Sequence, residues 1–203
     1  MRKLAATLLL TSLICSCARA DEVRAAYPYI TASVDGRYYF KMLPDKDKPY
    51  MTDTSGSGTM YEVSATGPDK PLWSVSGWYA FSTHVSYDGK YLVRMGNWPP
   101  GEPSSKHLAI AFYDGGKLVK SYSTLEILKD PKNVPISVSH YEYLKDVIGF
   151  DPYTHKFTIK TVENIEYTFD VTNGGIVSEK RVSTAKSDIP RLLRMLFYDV
   201  GIA

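Results

Sequence analysis

Apolar and polar side chains alternate in two stretches of the chain, and each stretch follows an Asp-Gly pair. Residues 33–42 read SVDGRYYFKM, and residues 86–95 read SYDGKYLVRM. Asp-Gly fits a tight turn because the aspartate accepts hydrogen bonds from its own backbone and glycine tolerates positive φ. Aromatic and branched residues directly after such a turn favour a β-strand. The pattern therefore predicts a turn followed by a strand at both places.

The two stretches are copies of one unit. Ser, Asp, Gly, Tyr and Met recur at the same aligned positions, and Asp88 lies 53 positions after Asp35. A period of this size is typical of stacked multi-strand units. A third, weaker copy begins at Asp151 and has residues 156–160 as its strand. The alternative is chance convergence of common Asp-Gly turns, and the number of shared positions argues against it.

A candidate hairpin follows each copy, at residues 60–76, 108–123 and 166–182. The joining segments Gly-Pro-Asp-Lys, Asp-Gly-Gly and Asn-Gly-Gly all suit hairpin turns. One unit is therefore predicted as a first strand, a variable loop and a two-stranded hairpin. The fold class is predicted as all-β, with about three antiparallel units.

This unit resembles the blade of a TolB-like or WD40-like β-propeller, whose strand opens with Ser-x-Asp-Gly-[Lys/Arg]-Tyr. The matching positions are Ser33, Asp35, Gly36, Arg37 and Tyr38 in one copy and Ser86, Asp88, Gly89, Lys90 and Tyr91 in the other. Val34 and Tyr87 depart from the pattern, which usually has proline there. The region is also similar to secreted bacterial proteins of unknown function. The resemblance spans residues 30–182 and implies a scaffold with no particular activity.

Three units are too few for a closed propeller, which has roughly four to eight blades. The chain is therefore expected to form an open arc or a rolled sheet, or to complete a ring as a homo-oligomer. Helix is scarce. Ser123 and Glu126 form a predicted capping box that opens a short helix through about Lys129. A second helix is predicted at about residues 189–199, near the C-terminus, where Leu192, Leu193, Leu196 and Phe197 share one face.

Residues 1–20 have the layout of a secretory signal peptide. Arg2 and Lys3 precede an apolar run, and small residues lead to Ala20. The run is short of the roughly 20 residues that span a bilayer. The sequence thus predicts an exported protein, periplasmic or extracellular, with residues 21–203 as a single β-repeat domain and no transmembrane segment in the mature chain. An alternative is a lipoprotein signal, which would leave the protein lipid-anchored through Cys17.

Removal of this segment changes the charge of the protein. The whole chain has 24 basic and 22 acidic residues, and residues 1–20 contain three of the basic ones, which leaves 21 against 22. A near-neutral chain with scattered charges has no electrostatic footprint for nucleic acid. Both cysteines also lie in the segment, so cleavage after Ala20 excludes thiolate chemistry from the mature protein.

No motif in the sequence predicts a catalytic residue, a metal site or a cofactor. The four histidines lie far apart along the chain, and the serine- and glycine-rich stretch at 53–61 lacks the lysine of a phosphate-binding loop. That stretch is interpreted as a flexible loop. The alternative is a hydrolase or metal-dependent enzyme in which residues converge across the repeats, for example His84, His140 and Asp151.

Aromatic side chains give the sequence its one hint of binding. The chain has sixteen tyrosines and three tryptophans. Trp98 lies in a proline-rich loop, and Trp78 and Tyr79 follow Gly77 at the end of a hairpin, where aromatic rings can be exposed to a partner. The predicted function is a non-enzymatic binding or scaffold protein of the bacterial envelope, which engages a protein or a glycan through these loops. A lipid-anchored structural subunit is the other alternative.

Overall fold

A computed structural model of the chain describes residues 25–45 and 55–183. The predicted signal peptide (residues 1–20), Cys17 and the predicted C-terminal helix (residues 189–199) lie outside the described residues and stay predictions.

Three four-stranded antiparallel sheets make up the described part of the chain, and in each sheet the strands pair in sequence order. The first sheet holds β1 (Tyr29–Ala32), β2 (Tyr38–Pro44), β3 (Gly56–Glu62) and β4 (Lys70–Ser76). The second holds β5 (Thr83–Val85), β6 (Tyr91–Met95), β7 (Leu108–Asp114) and β8 (Lys117–Ser123). The third holds β9 (Leu144–Phe150), β10 (Lys156–Thr161), β11 (Ile165–Asp170) and β12 (Gly175–Arg181). The prediction of an all-β chain with three antiparallel repeats is confirmed.

Each unit has one strand more than the sequence predicted. The additional strands β1, β5 and β9 precede the repeated turns and pair with β2, β6 and β10. Strands β1 and β5 have only four and three residues, which is too short for a period to be recognised. Strand β9 loses its alternation because two bulges interrupt its pairing with β10. The three predicted hairpins are present as β3–β4, β7–β8 and β11–β12.

The repeated turns have the same hydrogen bonds in both copies. Ser33 Oγ donates to Asp35 Oδ1 over 2.8 Å and accepts from the N–H of Tyr38 over 3.1 Å. Ser86 Oγ donates to Asp88 Oδ1 over 2.6 Å and accepts from the N–H of Tyr91 over 2.9 Å. The glycine of each turn has φ near +70°, where only glycine is unstrained. The shared sequence therefore specifies one turn geometry.

The third copy is aligned differently from the sequence prediction. The N–H of Asp151 donates to the carbonyl of Lys156, as the N–H of Ser86 does to that of Tyr91. Asp151 therefore takes the place of Ser33 and Ser86 rather than that of the two aspartates. Its carboxylate accepts hydrogen bonds from the N–H groups of Tyr153 and Thr154, so a different side chain caps the same turn.

The sheets pack face to face through the positions that the repeat conserves. Phe40 and Met42 of β2 belong to one buried cluster with Leu92 of the second sheet. Val93 and Met95, at the matching positions of β6, belong to a second cluster with Phe157 and Ile159 of the third sheet. The second sheet is covered on both faces, so β6 and β7 are buried almost continuously, whereas β2 and β10 alternate.

The two outward faces of this row of sheets differ. On the third sheet, Thr158 and Lys160 occupy the positions of Val93 and Met95, and Thr158 is 3.0 Å from Thr168, hydroxyl to hydroxyl. On the first sheet, Tyr39 stacks on Tyr61 beside the exposed Lys41, and Ile30 and Leu43 are exposed on the same face. Repeat arrays require polar terminal faces for solubility. The outward positions of β10 meet this requirement, whereas the first sheet mixes polar and apolar side chains.

The stretch at 53–61 is described from residue 55 onward, and most of that part is strand, which corrects the sequence interpretation as a flexible loop. Strand β3 begins at Gly56, and its glycines serve packing. A side chain at position 58 would overlap the ring of Phe40, which lies directly over this glycine. The predicted capping box is present, since Glu126 accepts hydrogen bonds from the N–H and the Oγ–H of Ser123, both over 2.7 Å. The helix α1 (Thr124–Ile127) ends earlier than predicted.

We expect the substitution Ser86→Ala to lower the free energy of unfolding by about 1–3 kcal/mol, because it leaves the buried N–H of Tyr91 without a partner. Urea unfolding followed by far-ultraviolet circular dichroism measures this loss. The exposed Ser105→Ala is the matched control and should leave the midpoint unchanged. Equal midpoints for the two variants would contradict the role given to the turn.

Candidate functional site

Trp98 lies in the connection between β6 and β7, and hydrogen bonds hold the two sides of this connection. Asn97 Nδ2 donates to the carbonyl of Tyr79 over 2.9 Å, and Asn97 Oδ1 accepts from the N–H of Phe81 over 3.1 Å. The carbonyl of Pro99 accepts from the N–H of Tyr141 over 3.2 Å. The loop is thus tied both to the connection between the first two sheets and to the segment that leads into the third sheet.

One face of Trp98 is covered by His140. The two ring centroids are 3.8 Å apart, and the planes are inclined by 42°. His140 is itself held by Ser137, whose Oγ is 2.7 Å from Nδ1. The Nε1–H of Trp98 is buried and has no hydrogen-bond partner among the described residues. A buried donor without an acceptor is uncommon in folded proteins, so this indole marks a place where an acceptor is missing.

Two clefts share Trp98 and Pro99 as a common wall. The first, which we call the Trp98 cleft, has a volume of about 550 Å³ and is lined by Trp98, Pro99, Pro135, His140, Tyr141 and Lys145, among others. The second, which we call the basic cleft, has a volume of about 420 Å³. Its side chains with polar groups are Arg94, Asn97, Trp98, Lys106 and His107. Volumes of this size fit a few side chains of a partner or a small ligand.

A hydrogen-bonded group beneath the clefts fixes their walls. The hydroxyl of Tyr141 lies 2.9 Å from His107 Nδ1 and 2.6 Å from Thr124 Oγ1. Thr124 Oγ1 donates in turn to the carbonyl of Ser104 over 3.1 Å. Tyr141 and Thr124 are both buried, and burial raises the pKa of the Tyr141 hydroxyl. The walls are therefore preorganised by side chains that are hydrogen-bonded to one another.

The other two aromatic residues of the sequence prediction lie elsewhere. Tyr79 is 1% exposed and donates its hydroxyl hydrogen to the carbonyl of Tyr27 over 2.9 Å. Trp78 is half-buried, 5.4 Å from Tyr113 between ring centroids. Both residues hold the junction of the first and second sheets, because the hairpin end leads directly into that junction. Of the three predicted residues, Trp98 lines the two clefts described above, and a binding role for Trp78 and Tyr79 stays a prediction.

The residues of the enzymatic alternative have separate sets of neighbours. His84 packs on Phe157 with ring centroids 5.0 Å apart, His140 packs on Trp98, and Asp151 caps its own turn. Across residues 25–45 and 55–183, no group of three His, Cys, Asp or Glu side chains is placed to hold a metal ion. In the same part of the chain, no helix is long and apolar enough to cross a membrane.

Sequence reasoning missed Arg94, Lys106, His107 and Tyr141 as site residues. The side chains of His107 and Tyr141 meet although the residues are 34 positions apart, and no local pattern announces such a contact. In the sequence, Arg94 is simply a charged residue of the repeated phrase. A usable signal was that the residue at the matching position of the third sheet is the buried Ile159, so a charge at this position is unusual for the repeat.

Comparisons with known proteins find WD40 structures of low identity. No protein-family model matches the chain, and no curated protein matches it significantly. The solved structures that are similar to it include the WD40 repeats of RRP9, with 14% identity, 81% of this chain and 43% of that chain covered, and a TM-score of 0.40. U3-55K has 13% identity, with 80% of this chain and 43% of that chain covered, and a TM-score of 0.38. The C-terminal WD40 domain of Sif2 has 11% identity, with 81% of this chain and 41% of that chain covered, and a TM-score of 0.35.

The chain thus spans about two fifths of the length of these structures. The assignment of the fold rests on the three four-stranded sheets themselves.

We expect stability to fall between pH 6.5 and pH 4 because of His84. Burial lowers the pKa of this histidine from 6.5 to about 4. In that window the unfolded chain binds a proton that the folded chain excludes, so the free energy of unfolding decreases as the pH falls, by up to about 3 kcal/mol. The substitution His84→Gln should flatten this slope in urea unfolding at several pH values. An unchanged slope would contradict the assignment of the slope to His84.

Proposed function

We propose that the protein is an exported, non-enzymatic binding protein of the bacterial envelope, which holds an extended segment of a partner protein in the Trp98 cleft. The observation that carries this proposal is the buried indole N–H of Trp98, which lacks an acceptor in a cleft walled by prolines and aromatic rings. A backbone carbonyl of an extended polypeptide supplies such an acceptor. Grooves lined by aromatic residues are a recurring means of binding extended segments.

A protein partner fits better than a glycan. Sugars stack on an open aromatic face, and His140 covers one face of Trp98 at 3.8 Å. The half-buried indole instead offers its edge and one N–H, together with the rings of Pro99 and Pro135. These groups suit alternating apolar side chains and carbonyl groups of a polypeptide. A glycan remains one outcome of the test described below.

The sheets supply a rigid support for this cleft. Its walls come from the β6–β7 connection and from the segment between α1 and β9, and Leu144 and Val162 of the third repeat complete them. The segment is anchored by the Tyr141 hydrogen bonds and by Tyr143, whose hydroxyl donates to the carbonyl of Ala109 over 3.0 Å. Such anchoring lowers the entropic cost of binding, because little of the surface must be ordered when the partner arrives.

Export is the second part of the proposal. It is supported by residues 1–20, in which two basic residues precede an apolar run that ends in small residues. Cleavage after Ala20 gives a protein that diffuses in the periplasm or outside the cell, whereas lipidation at Cys17 ties it to a membrane surface as a structural subunit. Binding through the Trp98 cleft is compatible with both forms.

We expect Trp98→Ala to weaken capture of an envelope protein by about tenfold or more, as truncation of a central interface tryptophan does. A photo-crosslinking amino acid in place of His140, used in envelope extract, identifies the bound segment, and purified segment then gives the affinity by fluorescence anisotropy. Trp98→Phe keeps the ring but loses the N–H donor and should lie between the wild type and Trp98→Ala.

The matched control is Tyr153→Ala, which removes an aromatic ring that is 89% exposed and distant in sequence. Circular dichroism checks that each variant is folded. Equal affinity for the wild type and Trp98→Ala would contradict the proposed site, and crosslinking to a glycan would contradict the proposed partner class.

We expect expression with the native N-terminus in a bacterium to give a mature protein outside the cytoplasm. Intact mass spectrometry distinguishes a chain that begins at Asp21 from one that begins with a lipidated Cys17. The substitution Cys17→Ser leaves the first product unchanged and abolishes the second. A full-length chain retained in the cytoplasm would contradict export.

A further inference from the structure

We infer that the basic cleft binds a carboxylate group of the partner, next to the segment held in the Trp98 cleft. This inference rests on the proposed function for the identity of the carrier, but the site itself is argued from this chain alone. The basic cleft shares Trp98 and Pro99 with the Trp98 cleft, so one bound polypeptide can occupy both.

Two buried N–H donors at this cleft lack acceptors. They are the Nε–H of Arg94 and the Nε1–H of Trp98. Every other buried side-chain nitrogen or oxygen atom of the described residues has a hydrogen-bond partner. Each such donor costs about 1–3 kcal/mol relative to a paired one. Both residues line the same 420 Å³ space. One bound polypeptide would offset both penalties, with a backbone carbonyl at Trp98 Nε1–H and a carboxylate at Arg94 Nε–H.

The charge of Arg94 also lacks a counter-ion. Its guanidinium lies 4.4 Å over the ring of Trp78, which stabilises a cation but supplies no acceptor oxygen. None of the salt bridges between described residues includes Arg94. A carboxylate would therefore contribute both the acceptors and the missing negative charge.

The remaining polar groups of the cleft favour an anion. Lys106 is exposed at its edge, and His107 and Asn97 provide further nitrogen atoms. No aspartate or glutamate is found among the residues that line it in the described part of the chain. The nearby Trp98 cleft differs in this respect, because Glu142 lies in its wall. Anion binding is thus specific to one side of Trp98.

The geometry of the donors suits a carboxylate. Arginine pairs with the two coplanar oxygens of a carboxylate through adjacent N–H groups, and each charge-assisted hydrogen bond is about twice as strong as a neutral one. A single arginine offers few bonds for a phosphate or for a nucleic-acid backbone, which is bound by several cationic side chains. The carboxylate comes either from an acidic side chain or from the C-terminus of the partner.

The test is a nuclear magnetic resonance titration of the mature, ¹⁵N-labelled protein. Trp98→Phe and Arg94→Lys assign the indole and guanidinium N–H signals. Sodium acetate is the probe, acetamide is its neutral isostere, and sodium chloride keeps the ionic strength constant. We expect acetate to move the Arg94 Nε–H signal in a saturable way and acetamide to leave it in place. An Arg94 signal that stays in place, or that acetamide moves equally, would overturn the inference.

Variants sharpen this result. Arg94→Met should weaken the binding of acetate about tenfold, the loss expected for one charge-assisted hydrogen bond. Lys117→Gln, which removes an exposed cation from the β7–β8 turn, should leave binding unchanged. Equal affinities of wild type and Arg94→Met would overturn the inference. If Arg94→Met does not fold, the wild-type titration with acetate and acetamide still decides it.

Two further probes distinguish the sources of the carboxylate. N-acetylglutamate α-amide presents a side-chain carboxylate, and N-acetylglutamine presents a C-terminal one, and the tighter of the two identifies the source. The titration requires no partner protein. If acetate binds but capture by the Trp98 cleft fails, the proposed function is wrong and the carboxylate site stands. If capture depends on Trp98 but acetate does not bind, only the carboxylate site is wrong.

Discussion

Everything else in the structure depends on the packing of each sheet on the turn and face of the next. Trp73 of the first sheet donates its Nε1 hydrogen to the carbonyl of Gly89 over 3.1 Å, and the ring of Tyr38 covers the same glycine. One unit later, Tyr91 meets His155 with ring centroids 4.8 Å apart. The tyrosine of the repeated phrase therefore contacts the turn of the following unit. This explains why the turn and the tyrosine recur together, because the tyrosine of one unit packs on the turn of the next.

The same packing rule explains how the third unit differs from the first two. Positions that are apolar in the first two units, such as Val93, are Thr158 and Lys160 in the third, which is the last sheet of the described residues. At the third turn His155 Nε2 lies 2.9 Å from Asp88 Oδ2. Burial alone would raise the pKa of the Asp88 carboxyl, but hydrogen bonds from Ser86 and His155 outweigh it and lower that pKa. The last junction therefore adds a hydrogen bond between His155 and Asp88 to the repeated tyrosine contact.

Sequence alone could predict those parts of the fold that local chemistry determines. The turns at Ser33 and Ser86 and the capping box at Ser123 follow from residues within a few positions of one another, and each was predicted correctly. The first strand of each unit, the shifted third copy and the strand that begins at Gly56 could not be predicted, because contacts with distant side chains decide them. For the clefts, Trp98 was found as a loop aromatic, but its neighbours meet it only through tertiary packing. The half-buried Trp98 and the buried Tyr79 differ in the residues that pack on them, and the sequence around each does not reveal this difference.

Repeated and unrepeated parts of the chain thus have different tasks. The strands carry the periodic residues that join sheet to sheet, whereas both clefts are built from the β6–β7 connection and the long segment that ends at Tyr143, which no other unit shares. An insertion of this kind leaves the packing rule intact, since its residues contact the sheets through single hydrogen bonds such as that of Tyr143 with Ala109. Arg94 is the point where the two parts meet: it belongs to a strand of the repeat, yet its unpaired donor lies at the inserted loop. Its guanidinium also packs over Trp78 at the junction of the first and second sheets, so Arg94 joins the repeated packing to the inserted loop.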